Sequence, residues 1–541
     1  SDVCSSDLET MITKYIKHIL PVAAIALTCG MSSCVGDLDV TPIDPSTNMT
    51  PDANGLFNKC YANMAMAGQG GANGDCDIDG LDGGTTGFIR QLFNANELPT
   101  DESICCWGDE GISAFNYGQW GATHPMLKGF YYRLYFGVSV CNQYLETCGN
   151  HDATMTAEVR FLRALYYYYL MDSFGNVPFV TKVSSEKAPQ KQRAEMYAWI
   201  ESELLDCEKQ MSDPKAKNSK TEGYGRADKA AAWLLLSRLY LNAEVYTGKA
   251  EWQKAADYAK KVIDSPYKLF KQGNEKYSAY QMLFMGNNGE NGASIEAVLP
   301  LLQDGITTTS WGTSIFLIAS TYKADETPGR GTTETWGGNR ARKEFVQKFF
   351  PDNNCPSGTM AEVLAVAGDD RALIYSKNRT LDIDNVGEFT EGYSVSKFNN
   401  IYSDGNAAQN TQFVDTDFFL FRAAEAYLNY AEATARLSGT GNTTSEGTYY
   451  INELRSRSHA KNQSVYTLNQ ICDEWSREFY YECRRRIDLI RFGKFGGNSD
   501  YKWQWKGGTK EGSGFEAYRN IYALPETDLN ANPNLVQNPG Y

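Results

Sequence analysis

Residues 157–180, AEVRFLRALYYYYLMDSFGNVPFV, constrain the fold more than any other part of this chain. Apolar side chains recur there at steps of three and four residues, so they share one face of a helix. These side chains are Val159, Leu162, Tyr166, Tyr169 and Leu170. Thr156 is placed to cap the helix, Gly175 to end it, and Pro178 to prevent its continuation. The tyrosines at 166–169 cover more than one face, which predicts the central helix of a helical core.

Pairs of predicted helices recur along the chain. Residues 225–266 contain two helices separated by Thr247-Gly248-Lys249, and their small alanines and terminal Asp264-Ser265-Pro266 resemble a tetratricopeptide unit. Other predicted helices cover residues 126–148, 417–437, 448–458 and 469–492. Because stacked pairs bury their own apolar faces, we interpret them as a scaffold in preference to a peptide-binding groove. The predicted fold class is mainly α, a tetratricopeptide-like helical-pair scaffold with long irregular loop insertions that carry the ligand site.

No Pro/Ser-rich linker divides the 541 residues, so a single body is predicted over residues 34–541, preceded by upstream residues and a signal peptide at 1–33. We expect the scaffold at about residues 50–70, 122–266 and 416–495, and loop-rich binding elaborations at about 70–121 and 270–415. Short apolar runs within the second elaboration, at 297–302 and 315–318, are compatible with strands or turns. Long irregular insertions in compact proteins are commonly functional.

Composition narrows the classes of function. The formal net charge of −15 argues against a nucleic-acid partner, because a phosphate backbone needs clustered Lys and Arg. With 4 histidines in the chain, a metal centre built from histidine is disfavoured, and no cofactor is expected. The aromatic content of 13%, which includes 34 Tyr and 10 Trp, is high and suits a recognition surface.

The N-terminal region predicts export. From Met11 onward, Lys14 and Lys17 precede an apolar run at 19–27 that is too short to span a bilayer permanently, which is the layout of a secretory signal. Met31-Ser32-Ser33-Cys34 then resembles a bacterial lipobox and makes Cys34 the predicted lipidation site. Cys29, or ordinary cleavage to a soluble periplasmic protein, is the alternative. Acyl chains on Cys34 would hold the protein at a membrane.

The 13 cysteines follow no metal-binding or redox pattern. No CxxC occurs, so neither a zinc knuckle nor a thioredoxin-type site is supported. We expect most cysteines to be buried small apolar side chains. The state of Cys105 and Cys106 stays open.

Residues 75–80, DCDIDG, begin like a calcium-binding loop. The twelfth position of that pattern is Thr86, where a bidentate Glu is usual, so no metal site is assigned. Asp75 and Asp77 are also suited to accept hydrogen bonds from a polyhydroxylated ligand. The remaining interpretation is that both are solvated loop acids.

Several aromatic side chains lie in loops rich in Gly and Asp, where a helical core does not explain them. A sugar presents an apolar face to an aromatic ring, and its hydroxyls pair with carboxylates and Arg. We therefore predict glycan binding by Asp75, Asp77, Asp101, Trp107, Tyr117, Trp120, Trp311, Arg371 and Tyr393. Trp336 lies in a similar polar loop.

The charged segment at 473–495, DEWSREFYYECRRRIDLIRFGKF, predicts a further helix. Glu482 and Arg486 are one turn apart in such a helix, so they are expected to form an ion pair on one face. Helix ion pairs are usually structural, and we interpret this one in the same way.

Three separated stretches resemble the SusD/RagB family of bacterial nutrient-uptake lipoproteins. They are the central helix with its RFLRALYY and FGNVP strings, the charged segment, and the ending YALPETDLNANPNLVQNPGY at 522–541. Trp475-Ser476 interrupts the usual Glu-Arg start of the charged helix. The resemblance implies a surface-exposed, lipid-anchored protein of the outer membrane that binds oligosaccharide without catalysis. It also implies docking on a SusC-like TonB-dependent transporter.

Three other functions remain as alternatives. The RagB branch of the family implies peptide as the cargo. A glycoside hydrolase would need two carboxylates at a defined separation, and no G-x-S-x-G, HExxH or P-loop pattern supports another enzyme class. A free tetratricopeptide scaffold with protein partners is disfavoured by the export signal.

Overall fold

The computed structural model describes residues 51–74, 76–497 and 499–541, so the predicted lipidation site Cys34 and the predicted ligand residue Asp75 lie outside the described residues. The helices are α1 (Ala53–Ala62), α2 (Phe88–Asn96), α3 (Ile112–Tyr117), α4 (Pro125–Thr147), α5 (Ala153–Phe174), α6 (Arg193–Cys207), α7 (Lys229–Leu241), α8 (Ala243–Thr247), α9 (Trp252–Asp264), α10 (Ala279–Met282), α11 (Ser314–Ala319), α12 (Lys343–Val346), α13 (Met360–Ala367), α14 (Ala423–Leu437), α15 (Ser445–Arg457), α16 (Leu468–Phe479), α17 (Arg485–Arg491) and α18 (Glu526–Ala531). The strands are β1 (Ser103–Cys105), β2 (Val177–Pro178), β3 (Gln190–Lys191), β4 (Ala297–Leu301), β5 (Asn339–Ala341), β6 (Ile374–Tyr375), β7 (Ser394–Val395) and β8 (Phe418–Arg422).

The central helix α5 is buried on all sides. Asp152 caps it by accepting a hydrogen bond from the Met155 backbone N–H at 2.7 Å, so the predicted cap was wrong. Thr156 instead donates its hydroxyl to the Gly149 carbonyl at 2.8 Å. Gly175 ends the helix with φ of 69°, as predicted. The tyrosines at 166–169 are at most 2% exposed, which confirms a helix packed on several sides.

Antiparallel helix pairs build the scaffold around α5. The helix α4 packs along α5, and α9 lies between α7 and α14, which in turn packs on α15. The alternation of small Ala and large apolar side chains on α7 and α9 permits this close approach. The prediction of a mainly α fold with tetratricopeptide-like pairs is confirmed.

The described residues contain four two-stranded antiparallel sheets: β1 with β5, β2 with β3, β4 with β8, and β6 with β7. The helix predicted from residue 417 therefore begins as strand β8 and becomes helical only at α14. The apolar run at 297–302 forms strand β4, whereas the run at 315–318 lies in helix α11. The β1–β5 sheet joins the two loop insertions to each other, and the β4–β8 sheet joins the second insertion to the scaffold.

The charged segment near the C-terminus is two helices, α16 and α17. Between them, Tyr481 and Cys483 have φ of 62° and 64°, in the left-handed region that interrupts an α-helix. Glu482 and Arg486 therefore do not share a helical face, and the predicted ion pair between them was wrong. Glu482 instead pairs with Arg422 at 2.7 Å.

Residues Ala53–Tyr541 form one compact unit. Among the described residues, no helix combines the length and the apolar character that crossing a bilayer requires. The cysteines in this part of the chain are free, and most are buried, as expected for small apolar side chains; Cys105 is buried and Cys106 is partly exposed.

Candidate functional site

Three tryptophans from separate loops lie in a row at the surface. Trp336 is in the middle, with its ring centroid 6.4 Å from that of Trp107 and 5.9 Å from that of Trp311. Phe413 extends the row, and its ring centroid is 4.5 Å from that of Trp311. All four side chains are partly exposed. Successive tryptophan planes are inclined by 54° and 57°, so neighbouring rings do not share a plane, and we call the four residues the aromatic arc.

Hydrogen bonds fix the orientation of each indole. The N–H of Trp107 donates to the Gly337 carbonyl at 2.8 Å, and the N–H of Trp336 donates to the Glu334 carboxylate at 2.8 Å. The N–H of Trp311 donates to the Asn73 side-chain oxygen at 2.9 Å. Because the ring edges are held before a ligand arrives, little conformational entropy is lost on binding.

Two glycines allow the tryptophans to pack closely on the loops behind them. A Cβ at Gly338 would lie 2.3 Å from the indole of Trp107. A Cβ at Gly84 would lie 2.7 Å from the Cβ of Trp311. Both distances are shorter than non-bonded carbon atoms tolerate, so a larger residue at either position would displace the arc.

Arg90, from helix α2, lies against Trp107 of the arc and is 9% exposed. Its guanidinium carbon is 5.4 Å from the ring centroid of Trp107 and 5.3 Å from that of Phe316. Its Nε has no hydrogen-bond partner among the described residues. Burial lowers the pKa of Arg90, and the negative charges of Asp82 and Asp109 partly offset this effect. The guanidinium is therefore held mainly by stacking on these two rings, and its buried Nε lacks a protein partner among the described residues.

Carboxylates flank this cation at the rim. Asp82 and Asp109 are exposed. Partial burial acts to raise the pKa of Asp82, but hydrogen bonds from the hydroxyl and the backbone N–H of Thr85 lower it below its ordinary value. Asp82 is therefore an ionised acceptor at neutral pH. Ring faces, cationic donors and anionic acceptors are the groups that bind a polyhydroxylated ring.

Asp101 and Arg371, which were predicted to bind ligand, are instead in the interior with no measurable exposure. Asp101 pairs with Arg485 at 2.7 Å and with Lys348 at 3.0 Å. Burial acts to raise the pKa of Asp101, but Arg485 and Lys348 hold it well below its usual range. Arg371 pairs with Glu474 at 2.8 Å. Their charges are neutralised inside the fold, so neither contacts a ligand at the surface.

Trp120 and Tyr393 were also predicted to bind ligand, but the structure buries them, at 3% and 7% exposure. The indole N–H of Trp120 donates to the Tyr541 hydroxyl at 2.6 Å, and its ring stacks on Phe495. The Tyr393 carbonyl accepts a hydrogen bond from the Ala341 N–H at 2.8 Å beside β5. These aromatic rings are core packing.

The remaining predicted residues divide between the arc and other places. Trp107 and Trp311 lie in the arc. Asp77 is partly buried and pairs with Arg133 at 3.6 Å, which holds its loop against α4. Tyr117 is partly exposed and contacts Trp505 outside the arc, at a ring distance of 5.9 Å. Within the described ranges, no group of three or more His, Cys, Asp or Glu side chains is arranged to hold a metal.

Comparison with known proteins decides the family. A family model described as "SusD family" matches residues 209–541, and one described as "Starch-binding associating with outer membrane" matches residues 106–241. The starch-binding protein SusD of Bacteroides thetaiotaomicron is 41% identical, across 98% of this chain and 100% of its own length. This chain belongs to the SusD family.

Solved SusD-like structures share the fold. A laminarin-binding SusD-like protein superposes with a TM-score of 0.64 at 20% identity, covering 91% of this chain and 99% of its own. Surface glycan-binding protein A of Bacteroides uniformis gives a TM-score of 0.63 at 20% identity, covering 90% and 98%. The resemblance inferred from the sequence motifs is confirmed.

Residues of the site that were not predicted from the sequence of this SusD-family chain include Asp82, Arg90, Glu334 and Phe413. The first two had a usable signal, because Asp82 opens a Gly-rich turn and Arg90 interrupts the apolar pattern of helix α2. Glu334 and Phe413 are ordinary loop residues in sequence, and only their contacts with Trp336 and Trp311 place them at the arc.

Proposed function

We propose that this SusD-family protein binds a glucan of the starch type at the aromatic arc and does not cleave it. The observation that carries the proposal is the row of inclined indoles, of which Trp107 stacks on the Arg90 cation. The ring faces take the apolar faces of successive sugars, while Arg90 and Asp82 pair with hydroxyls. The relative that is 41% identical is named a starch-binding protein, which supports this choice of glycan.

The inclination between neighbouring rings of the arc favours α-linked over straight β-linked chains. An α-1,4-linked glucan coils, so its consecutive sugars turn relative to one another, whereas a flat ribbon would meet one or two of the inclined rings. The indoles are fixed by their hydrogen bonds and cannot flatten without losing them. Shape therefore contributes to the selectivity we propose.

We also propose that Cys34 is lipidated, that the protein is displayed at the cell surface on the outer membrane, and that it delivers its glycan to a SusC-like TonB-dependent transporter. The lipobox-like sequence supports the anchor. The family-model description "associating with outer membrane" supports the location. Metabolic labelling with a palmitate analogue should label wild type and not Cys34→Ser; equal labelling would overturn the assignment.

Calorimetry with maltoheptaose tests the binding site. Trp336→Ala removes the middle of the arc, and we expect at least a tenfold loss of affinity, since truncating an aromatic anchor costs about 2 kcal/mol or more. Trp252→Ala removes a partly exposed tryptophan from the start of α9 and should leave affinity unchanged. Equal affinity of Trp336→Ala and wild type would overturn the site.

Arg90→Met tests the stacked cation by calorimetry with maltoheptaose. It keeps the buried length of the side chain but removes its donors, and we expect about a tenfold loss of affinity, in line with a hydrogen bond to a charged group.

The same preparations distinguish the alternative functions. Chromatography of maltoheptaose after prolonged incubation should show no shorter products, and their release would indicate a hydrolase. Binding of peptides in place of any glucan would favour a RagB-type cargo.

A further inference from the structure

A second exposed aromatic pair lies outside the arc. The rings of Tyr117 and Trp505 are 5.9 Å apart and inclined by 44°, close to the spacing and tilt between neighbouring tryptophans of the arc. Both side chains are partly exposed. Trp107 and Trp336 pack against the continuous hydrophobic core, but Tyr117 and Trp505 do not. Core packing therefore does not explain why these two rings are together.

The backbone of Trp505 is held in an unfavourable conformation. Its φ of 68° and ψ of 7° are left-handed, a region that bulky side chains rarely adopt. Such residues are retained where the surrounding structure fixes them, and they concentrate at functional sites. In this conformation the Trp505 ring lies 5.9 Å from that of Tyr117.

Hydrogen bonds fix the turn that carries Trp505. The indole N–H donates to the Ile383 carbonyl at 2.9 Å. The next residue, Lys506, is 1% exposed, donates to the Tyr501 carbonyl at 2.7 Å, and lies 4.0 Å from the ring centroid of Trp503. Hydrogen bonds therefore hold the Trp505 ring in place before a ligand binds, as they do for the indoles of the arc.

Polar side chains lie in the segments that contact these two residues. Gln119 is exposed beside Gly508, where an added Cβ would lie 2.8 Å from its amide nitrogen. Asp384 and Lys510 form an ion pair whose side chains are 67% and 42% exposed. Aromatic faces bordered by an amide and by both signs of charge suit a sugar better than an apolar protein partner.

We propose that Tyr117 and Trp505 form a second saccharide platform, which binds another part of the same glucan chain that the arc binds. This inference rests on the proposed function. Trp107 and Tyr117 are ten residues apart, so chain geometry limits their separation to about 35 Å. A polysaccharide can engage both places, and its second contact is then intramolecular, which raises its affinity more than that of a short oligosaccharide.

Two probes, maltoheptaose in calorimetry and soluble amylopectin in affinity electrophoresis, test the platform on the full chain. Trp505→Gly removes the ring and leaves a residue that favours a positive φ, so the fold should be retained. We expect this variant to bind amylopectin about tenfold more weakly and maltoheptaose as wild type does. Tyr449→Ala, an exposed aromatic residue on α15 that is 56% exposed, is the matched control and should change neither.

A double variant separates this proposal from the proposed function. Trp336→Ala should lose maltoheptaose binding but retain weak retardation by amylopectin, and adding Trp505→Gly should abolish that remainder. If Trp505→Gly leaves amylopectin retardation unchanged in both backgrounds, the second platform is overturned while the arc stands. If Trp336→Ala binds maltoheptaose like wild type and only Trp505→Gly reduces amylopectin binding, the arc is overturned and the platform stands.

Discussion

At the scale of single residues, a buried pair of carboxyl groups sets a pH dependence. Glu97 and Glu102 are 0% and 1% exposed. Burial raises the pKa of Glu97 well above its usual value, and the adjacent, hydrogen-bonded Glu102 raises it further. The Arg484 backbone N–H donates to Glu97 at 2.9 Å, and the Ser476 hydroxyl donates to Glu102 at 2.6 Å. The pair is therefore stable when Glu97 keeps its proton.

Glu97→Gln replaces that proton with a permanent amide donor. Because the folded pKa of Glu97 is raised, its contribution to stability is complete below the unfolded pKa of about 4.3 and is lost as pH rises through the folded pKa. The variant has no such loss, so its advantage should grow with pH to about 1–3 kcal/mol, the cost of a buried unpaired polar group.

Urea unfolding between pH 4 and pH 9 measures the effect of Glu97→Gln. Glu110→Gln, at an exposed position of the following loop, is the control and should follow wild type at every pH. A Glu97→Gln variant that is less stable than wild type at alkaline pH would show that the two carboxyl groups do not share a proton.

The predicted ligand-binding residues also show which features of the site can be inferred from sequence and which cannot. Trp107 and Trp311 could be placed in a surface site because their neighbours in sequence are Gly, Asp and Thr. Asp101 has similar neighbours, yet its partner Arg485 is 384 positions away, and that contact puts it in the interior. An Asp is the same residue in the sequence whether it binds a ligand or neutralises a buried cation. Only tertiary contacts distinguish these two roles.

At the scale of elements, the crossing of α4 and α5 depends on one glycine. A Cβ at Gly137 would lie 2.5 Å from the ring of Tyr166, whose hydroxyl donates to the Cys60 carbonyl at 2.9 Å. The ring cannot move away without losing that bond. A residue that lowers helix propensity is therefore required in the middle of a long helix.

Gly137→Ala should consequently destabilise the protein although alanine is the better helix former. Overpacking of a core costs about 1–3 kcal/mol, which exceeds the gain of about 1 kcal/mol from propensity. Ser139→Ala, at an exposed position of the same helix, should stabilise by about 0.5 kcal/mol. Urea unfolding followed by circular dichroism compares the two, and a stabilising Gly137→Ala would contradict the close crossing.

Helical elements were easier to predict from sequence than their ends and breaks. The apolar periodicity of α4, α5, α7 and α9 is local, so it is visible in the sequence. The break between α16 and α17 follows from positive φ at Tyr481 and Cys483, which are not typical left-handed residues. Ion pairs with residues distant in sequence fix these helices, and local sequence periodicity cannot predict such pairs.

At the scale of the whole molecule, a buried ionic network joins the insertion to the scaffold. Glu478 on α16 accepts hydrogen bonds from Arg422 at 2.7 Å and Arg371 at 3.2 Å, and it also pairs with Arg457. All four side chains are fully buried. Arg371 comes from the insertion, and Arg422 and Arg457 end β8 and α15. The two parts should therefore unfold together.

Glu478→Gln tests this coupling because it leaves three buried cations short of one negative charge. Removing one partner of a buried ion pair costs about 3–5 kcal/mol. Glu453→Gln, which breaks the partly exposed pair with Lys271 across the same two regions, should cost less than about 1 kcal/mol. Urea titrations followed by tryptophan fluorescence and by circular dichroism should give coincident transitions in wild type.

Repeating the urea titrations from neutral to acid pH supplies an independent check on Glu478. Burial acts to raise its pKa, but Arg457, Arg422 and Arg371 hold it well below its usual value. A lowered folded pKa gives stability that is complete above the unfolded pKa of about 4.3 and is lost as pH falls towards the folded pKa. Glu478→Gln should therefore differ most from wild type at neutral pH and converge with it in acid. A constant difference from pH 7 to pH 3 would mean that the network contributes through packing and not through charge.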